Sequence, residues 1–194
     1  MSLGPYLTLV GLKHAGKSTI ARTIAGQCET AEAIDVDERM VADARREGWF
    51  PATVSAGPPV RTLYRFLGAD AFASWECETI RRITDLTGTT DRGANKPILH
   101  RVISTGGGIC DNPEALKILE GTRPIVYLWN LPENLFQRVI RDGVPPFLDA
   151  NDPWGSFLAL ARKRDAIYRR IADTIVDISA ASVEEAADIV LEAL

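Results

Sequence analysis

Along the chain, short apolar runs alternate with stretches whose apolar positions recur every three or four residues, and these two periods predict strands and helices in turn. Tyr6–Val10 is a β-branched and apolar run that stops at Gly11, and Lys17–Gln27 carries Ile20, Ile24 and small alanines at helical spacing. The chain therefore opens as strand, glycine loop, helix. A second strand is expected over residues 31–35, followed by a charged helix over 37–46 whose end is marked by Gly48. Residues 49–59 are rich in turn formers and read as loop, 61–86 as helix broken at Gly68, and 87–97 as a polar loop. Residues 98–105 read as a buried strand running into Gly106-Gly107-Gly108, Pro113–Leu119 as a helix capped by Asn112, and 124–129 as a strand. A helix over 132–141, a loop over 142–152, a longer helix over 153–172, a strand over 174–178 and a helix over 183–194 capped by Ser182 complete the pattern.

Strands alternating with helices over the whole chain predict a parallel sheet covered by helices on both faces. Ligands of such sheets bind beyond the carboxyl ends of the strands. Three of the expected strands end there in something chemically unusual: the glycine loop, the pair Asp35 and Asp37, and the triple glycine.

Composition narrows the function. With 194 residues, 46% of them apolar and 25% charged, the chain is expected to be one domain with a substantial core. Its 22 Lys+Arg against 26 Asp+Glu give a formal charge of −4, which argues against a general nucleic-acid binder but leaves room for a local basic pocket. No apolar run approaches the roughly 18 residues of a membrane span, and the first residues lack a signal-peptide pattern, so a cytoplasmic protein without membrane partners is expected. Cys28, Cys77 and Cys110 are odd in number and form no CxxC pair, and His14 and His100 are the only histidines. Neither a disulfide framework nor a zinc or histidine-rich centre is suggested.

Gly11-Leu12-Lys13-His14-Ala15-Gly16-Lys17-Ser18 fits G-x-x-x-x-G-K-[ST], the phosphate-binding loop. Its glycines let backbone N–H groups and the following helix N-terminus face a β-phosphate; Lys17, expected on an exposed loop, reaches the β- and γ-oxygens, and Ser18 ligates Mg²⁺. Asp35 and Asp37 are two apart, so in an extended segment both carboxylates face one cleft, one to hold the Mg²⁺ shell and the other to accept a substrate hydroxyl proton. Three consecutive glycines are costly in backbone entropy and are kept where main chain must come close to something, here a floor of N–H groups beneath a polar or anionic substrate.

Together these motifs resemble the shikimate kinases, whose pattern is a phosphate loop, D-x-D after the second strand, a G-E-x-x-F-R-x-x-E helix, G-G-G, a lid with R-P-L-L, and an R-x-x-x-Y helix before the last strand. The corresponding places are Gly11 to Thr19, Asp35 and Asp37, Gly68 to Glu76, Gly106 to Gly108, Pro145 to Leu148, and Arg164 with Tyr168, in order over nearly the whole chain. The resemblance implies a single α/β domain over 1–194 of the P-loop nucleoside-monophosphate-kinase-like three-layer fold. It would have a central parallel five-stranded sheet, helices on both faces, a mobile lid at about 142–152 and a substrate-binding helical region at about 37–86.

It further implies that Gly11, His14, Ala15, Gly16, Lys17, Ser18 and Thr19 hold ATP, with Arg138 stacked near adenine, and that Ser18 and Asp35 hold Mg²⁺. Lys17, Asp35 and Asp37 would be catalytic, Asp37 holding and polarising the acceptor hydroxyls. Asp37, Glu76, Gly106, Gly107, Gly108 and Arg164 would bind a small-molecule substrate, shikimate, in a monomer. A kinase of another small polyhydroxylated acid or sugar acid, and a nucleotide-binding regulator without turnover, are the alternatives. The intact Lys17, Ser18, Asp35 and Asp37 favour catalysis over the latter. Two positions depart from the family: the arginine of F-R-x-x-E, part of the carboxylate clamp, is Ala73, and the lid arginine that approaches the transferring phosphate is Pro145. Arg61, Arg65 or Arg101 are candidates to refill the first role and Arg141 the second.

Overall fold

The computed structural model describes residues 5–53, 57–85, 99–141 and 143–194. The elements in chain order are β1 Tyr6–Val10, α1 Lys17–Gln27, β2 Glu32–Asp35, α2 Val36–Arg46, α3 Pro59–Leu67, α4 Ala69–Thr84, β3 Arg101–Ser104, α5 Pro113–Leu119, β4 Ile125–Trp129, α6 Pro132–Val139, α7 Pro153–Ile171, β5 Thr174–Asp177 and α8 Val183–Glu192. All five strands pair parallel in the order β2-β3-β1-β4-β5, with Leu7 opposite Val102 and Leu9 opposite Val126.

β1 lies at the centre of this sheet, and every one of its residues is buried, as expected when helices cover both faces. Side-chain alternation then divides the core in two. Leu7, Leu9, Val102, Val126 and Leu128 meet Ile20 and Ile24 of α1 and Val190 of α8 on one face. Tyr6, Val10, Ile103, Ile125 and Tyr127 meet α2, α4, α5 and α7 on the other. The face of β1 that carries Thr8 is kept polar-neutral by a hydrogen bond from its hydroxyl to Thr122 Oγ1, 2.7 Å.

Helix starts follow the capping residues. Asn112 accepts from the Ala115 amide, Asp152 from that of Gly155, and Ser182 forms a capping box with Glu185. Where prediction and structure differ, chain punctuation explains it. The break expected at Gly68 is present, its φ of +76° turning the chain between Leu67 and Ala69, but α3 begins two residues earlier than expected, on Pro59. α6 stops at Val139 instead of 141, and of the strand expected over 98–105, whose described part is 99–105, β3 occupies 101–104. The loop expected at 87–97 lies outside the described residues. Among the described residues no helix is long and apolar enough to cross a membrane.

Candidate functional site

Because β2, β3 and β1 are neighbours and parallel, the three unusual strand ends emerge side by side. The phosphate loop starts at Gly11, whose φ of +148° only glycine adopts easily. A Cβ there would also lie 2.8 Å from the Leu128 carbonyl oxygen. His14 at φ +65° and Gly16 at φ +87° wind the loop into the first turn of α1. Lys17 is buried, in contrast to the exposed loop position expected for it. As the first residue of α1, its chain runs back inside the loop, and Nζ donates to the carbonyls of Gly11 (2.9 Å) and Leu12 (3.0 Å). Burial pulls its ammonium down to about 8, with Asp37 and Asp35 pulling it back up.

The two aspartates come together by a route other than the extended segment expected. Asp35 is the N-cap of α2, its Oδ1 accepting from the Glu38 amide at 3.0 Å, and Asp37 sits in the first helical turn. The Ser18 hydroxyl donates to Asp35 Oδ2 and lies 3.2 Å from Ser104 Oγ, a β3 residue with no motif to announce it. Burial raises the Asp37 carboxyl above the usual range, Asp35 adding to the effect and Lys17 opposing it.

Two cavities meet here. One, of about 250 Å³, is lined by His14, Gly16, Lys17, Ser18 and Thr19, with Asp35 and Asp37 across from them. Gly11 and Ala15 are buried in the loop behind it. The other, of about 530 Å³, is lined by all the residues expected for substrate: Asp37, Glu76, Gly106, Gly107, Gly108 and Arg164. Arg138 lines neither cavity; its Nη1 donates to the His14 carbonyl at 2.9 Å, which ties α6 to the phosphate loop.

The first two of the three glycines are explained by what presses on them. A Cβ on Gly106 would lie 2.7 Å from Asp37 Oδ1, and one on Gly107 would lie 2.6 Å from the Lys13 amide nitrogen. Any side chain would push the β3 loop off the aspartate and the phosphate loop. The Gly107 carbonyl also accepts from Arg164 Nη1 (2.9 Å) and the Tyr168 hydroxyl (3.0 Å). Arg164 Nη2 donates to Asp111 Oδ2 at 2.6 Å, while its Nε is buried without a hydrogen-bond partner among the described residues. An orphaned guanidinium nitrogen at a cavity wall suits an anionic ligand. Asp111, which orients Arg164, follows the glycines by three residues in no recognisable motif, and sequence reasoning missed it.

Glu76 is buried beneath Ala73, and its Oε2 accepts from Asn112 Nδ2 at 2.8 Å. Burial pushes its carboxyl up to about 7 against that hydrogen bond, with Asp37 and Asp111 adding to the rise. Lys13, Arg61 and Arg164 share the same cavity, and none forms an ion pair with Glu76 among the described residues. The folded state thus favours the neutral acid: its contribution to stability is full below about pH 4.5 and is lost as pH rises through about 7. Glu76→Gln, which keeps the Asn112 bond, should leave stability at pH 5 nearly unchanged and raise it at pH 8, by at most about 3 kcal/mol. Urea midpoints at the two pH values check this; equal shifts at both would contradict it.

The structure also sorts the arginines expected to compensate for Ala73 and Pro145. Arg101 is held away from the cavity, its Nη1 donating to the carbonyls of Ile83 and Asp85 at the start of β3. Arg65 is exposed and lines neither cavity, and Arg141 likewise lines neither. Arg61, on the first turn of α3, does line the larger cavity.

For a triphosphate and Mg²⁺, the donor set fits. Ser18 and Asp35 offer hard oxygens, and among the described residues no three His, Cys, Asp or Glu converge into a cage. Hard oxygens of this kind suit Mg²⁺, which keeps waters and shares substrate phosphates.

A family model described as shikimate kinase matches residues 13–194 of the chain. A shikimate kinase of Cupriavidus pinatubonensis is 30% identical over 187 residues, covering 96% of this chain and 84% of its own. One of Thermus thermophilus is 31% identical over 190 residues, covering 97% and 89%. Among solved structures, the shikimate kinase of Acinetobacter baumannii in complex with shikimate superposes with a TM-score of 0.74 at 25% identity, over 98% of this chain and 93% of the other.

Proposed function

The chain belongs to the shikimate kinase family, and we propose that Asp37, shared by its two cavities, is where the γ-phosphoryl group of ATP meets a hydroxyl of shikimate. That shared carboxylate, between a phosphate loop and a separate cavity, is the observation that carries the reading. Displacement needs both reactants held in line, and Asp37 is the carboxylate that lines both the nucleotide-side and the acceptor-side cavity.

In this reading His14, Gly16, Ser18 and Thr19 cradle the phosphates, Lys17 leaves its loop carbonyls for the β- and γ-oxygens, and Arg138 flanks adenine. Ser18 and Asp35 would hold Mg²⁺, which neutralises charge on the phosphate oxygens when bound. Asp37 aligns the acceptor hydroxyl and takes its proton. The shikimate carboxylate is bound by Arg164, whose buried Nε lacks a partner, and by Arg61 in place of the arginine that Ala73 has removed. The amides of Gly106 to Gly108 form the floor, and neutral Glu76 donates rather than repels. Phe147, half exposed and lining the acceptor cavity, belongs to the lid that excludes water.

Arg61→Ala should raise KM for shikimate about tenfold or more, the worth of one hydrogen bond to a charged group, and leave KM for ATP within about twofold. Steady-state kinetics with each substrate varied check this. An unchanged KM for shikimate would place the carboxylate elsewhere in the cavity.

A further inference from the structure

A phosphoryl group crossing between two cavities carries negative charge through their common boundary, so the cations on that boundary govern how much of it is neutralised. Three residues line both cavities: Lys13, Asp37 and Gly107. Asp37 is an anion and Gly107 has no side chain. Among the described residues, then, Lys13 is the side-chain cation the two cavities share. Lys17 lines only the nucleotide side, and Arg61 and Arg164 only the acceptor side. The segment 143–152 carries no lysine or arginine, having Pro145 where the family pattern has its lid arginine.

The backbone of Lys13 is also held in place, while its side chain is exposed. Gly107 packs so tightly on it that an added Cβ would lie 2.6 Å from its amide nitrogen and 3.0 Å from its own Cβ, which fixes where its side chain leaves the loop. Burial lowers the Lys13 ammonium, Arg61 acts in the same direction, and Asp37 opposes them. Lys13 is exposed to solvent, and a cation beside another cation gains from an incoming anion.

We propose that Lys13 is a catalytic residue, its ammonium contacting the γ-phosphoryl oxygens while the group passes from ATP to the acceptor. The inference rests on the phosphoryl-transfer reading above. As the acceptor oxygen bonds to phosphorus, the bond from phosphorus to the β–γ bridging oxygen breaks, its electron pair leaves with ADP, and the hydroxyl proton passes to Asp37. Lys13 exchanges no proton in this step. It offsets the charge on the three oxygens that move, in a chain whose segment 143–152 offers no cation.

The test compares wild type, Lys13→Met and Lys13→Arg by steady-state kinetics with ATP and shikimate, and by calorimetric titration with ADP and with adenylyl imidodiphosphate, both with Mg²⁺. Lys13→Met should lower kcat on the order of 100-fold with KM for shikimate within about threefold, and Lys13→Arg should restore kcat to within about tenfold of wild type. Lys13→Met should also bind ADP within about twofold of wild type, while its preference for the triphosphate analogue over ADP falls about tenfold. A kcat within threefold of wild type in Lys13→Met, or a loss that Lys13→Arg does not rescue, overturns the proposal and leaves the family activity standing. If the wild-type protein does not phosphorylate shikimate, the functional reading falls by itself. The titrations, which need no acceptor, then decide Lys13, and an unaltered preference overturns it.

Discussion

Replacing Lys17 with alanine is expected to lower kcat by about 10³-fold or more, the scale of losing a preorganised charge aimed at the transferring group. Lys17 Nζ rests on the carbonyls of Gly11 and Leu12, poised over the 250 Å³ cavity and the Ser18–Asp35 pair. Among the described residues no other lysine or arginine occupies that position, Lys13 being on the seam and Arg138 tied to His14. The cost to the fold should be small despite the burial. Removing the side chain deletes a cation that burial already penalises, and the two carbonyls it leaves border a cavity that water can enter. A coupled assay, with circular dichroism to confirm a melting temperature within a few degrees of wild type, separates the two effects. A folded variant with near-normal kcat would remove the phosphate loop from the chemistry.

Asp37→Asn should lower kcat by about 10²- to 10⁴-fold while nucleotide affinity changes only a few-fold. Asparagine keeps the shape that fits against Gly106, where there is no room for even a Cβ, so the change removes the charge and the proton acceptor without moving the wall. In the proposed reading the nucleotide is held chiefly by Lys17, Ser18 and Asp35. Collapse of ATP affinity with kcat retained would exchange the roles of Asp35 and Asp37.

Much of this was legible in the chain because it depends on local rules. The strand–glycine–helix opening, the caps at Asn112 and Ser182 and the alternation that demands a parallel sheet are short-range features, and all appear in the structure. The juxtaposition of three strand ends also followed from topology. Features set by distant packing were not legible. Lys17 reads as an exposed loop cation, yet the first turn of α1 folds it inward. Lys13 occupies one of the unconstrained positions of the phosphate-loop pattern, so nothing in the motif marks it, and only contact with Gly107 brings it to the boundary. Arg61, Arg65 and Arg101 were equivalent on paper. They were separated by where α3 and β3 lie, with Arg101 drawn onto the end of α4. Asp111 and Ser104 act through partners 53 and 86 residues away and leave no local signal.

In the proposed reading Asp37 joins a nucleotide site to a shikimate site within one chain. The most direct test incubates wild type and Asp37→Asn with Mg²⁺, ATP and shikimate and follows the products by ³¹P NMR. The account predicts that wild type forms a phosphate monoester of shikimate in step with ADP, and that Asp37→Asn forms it at least about 10²-fold more slowly. Free phosphate instead of the ester at millimolar shikimate, or equal ester formation by both proteins, would contradict it.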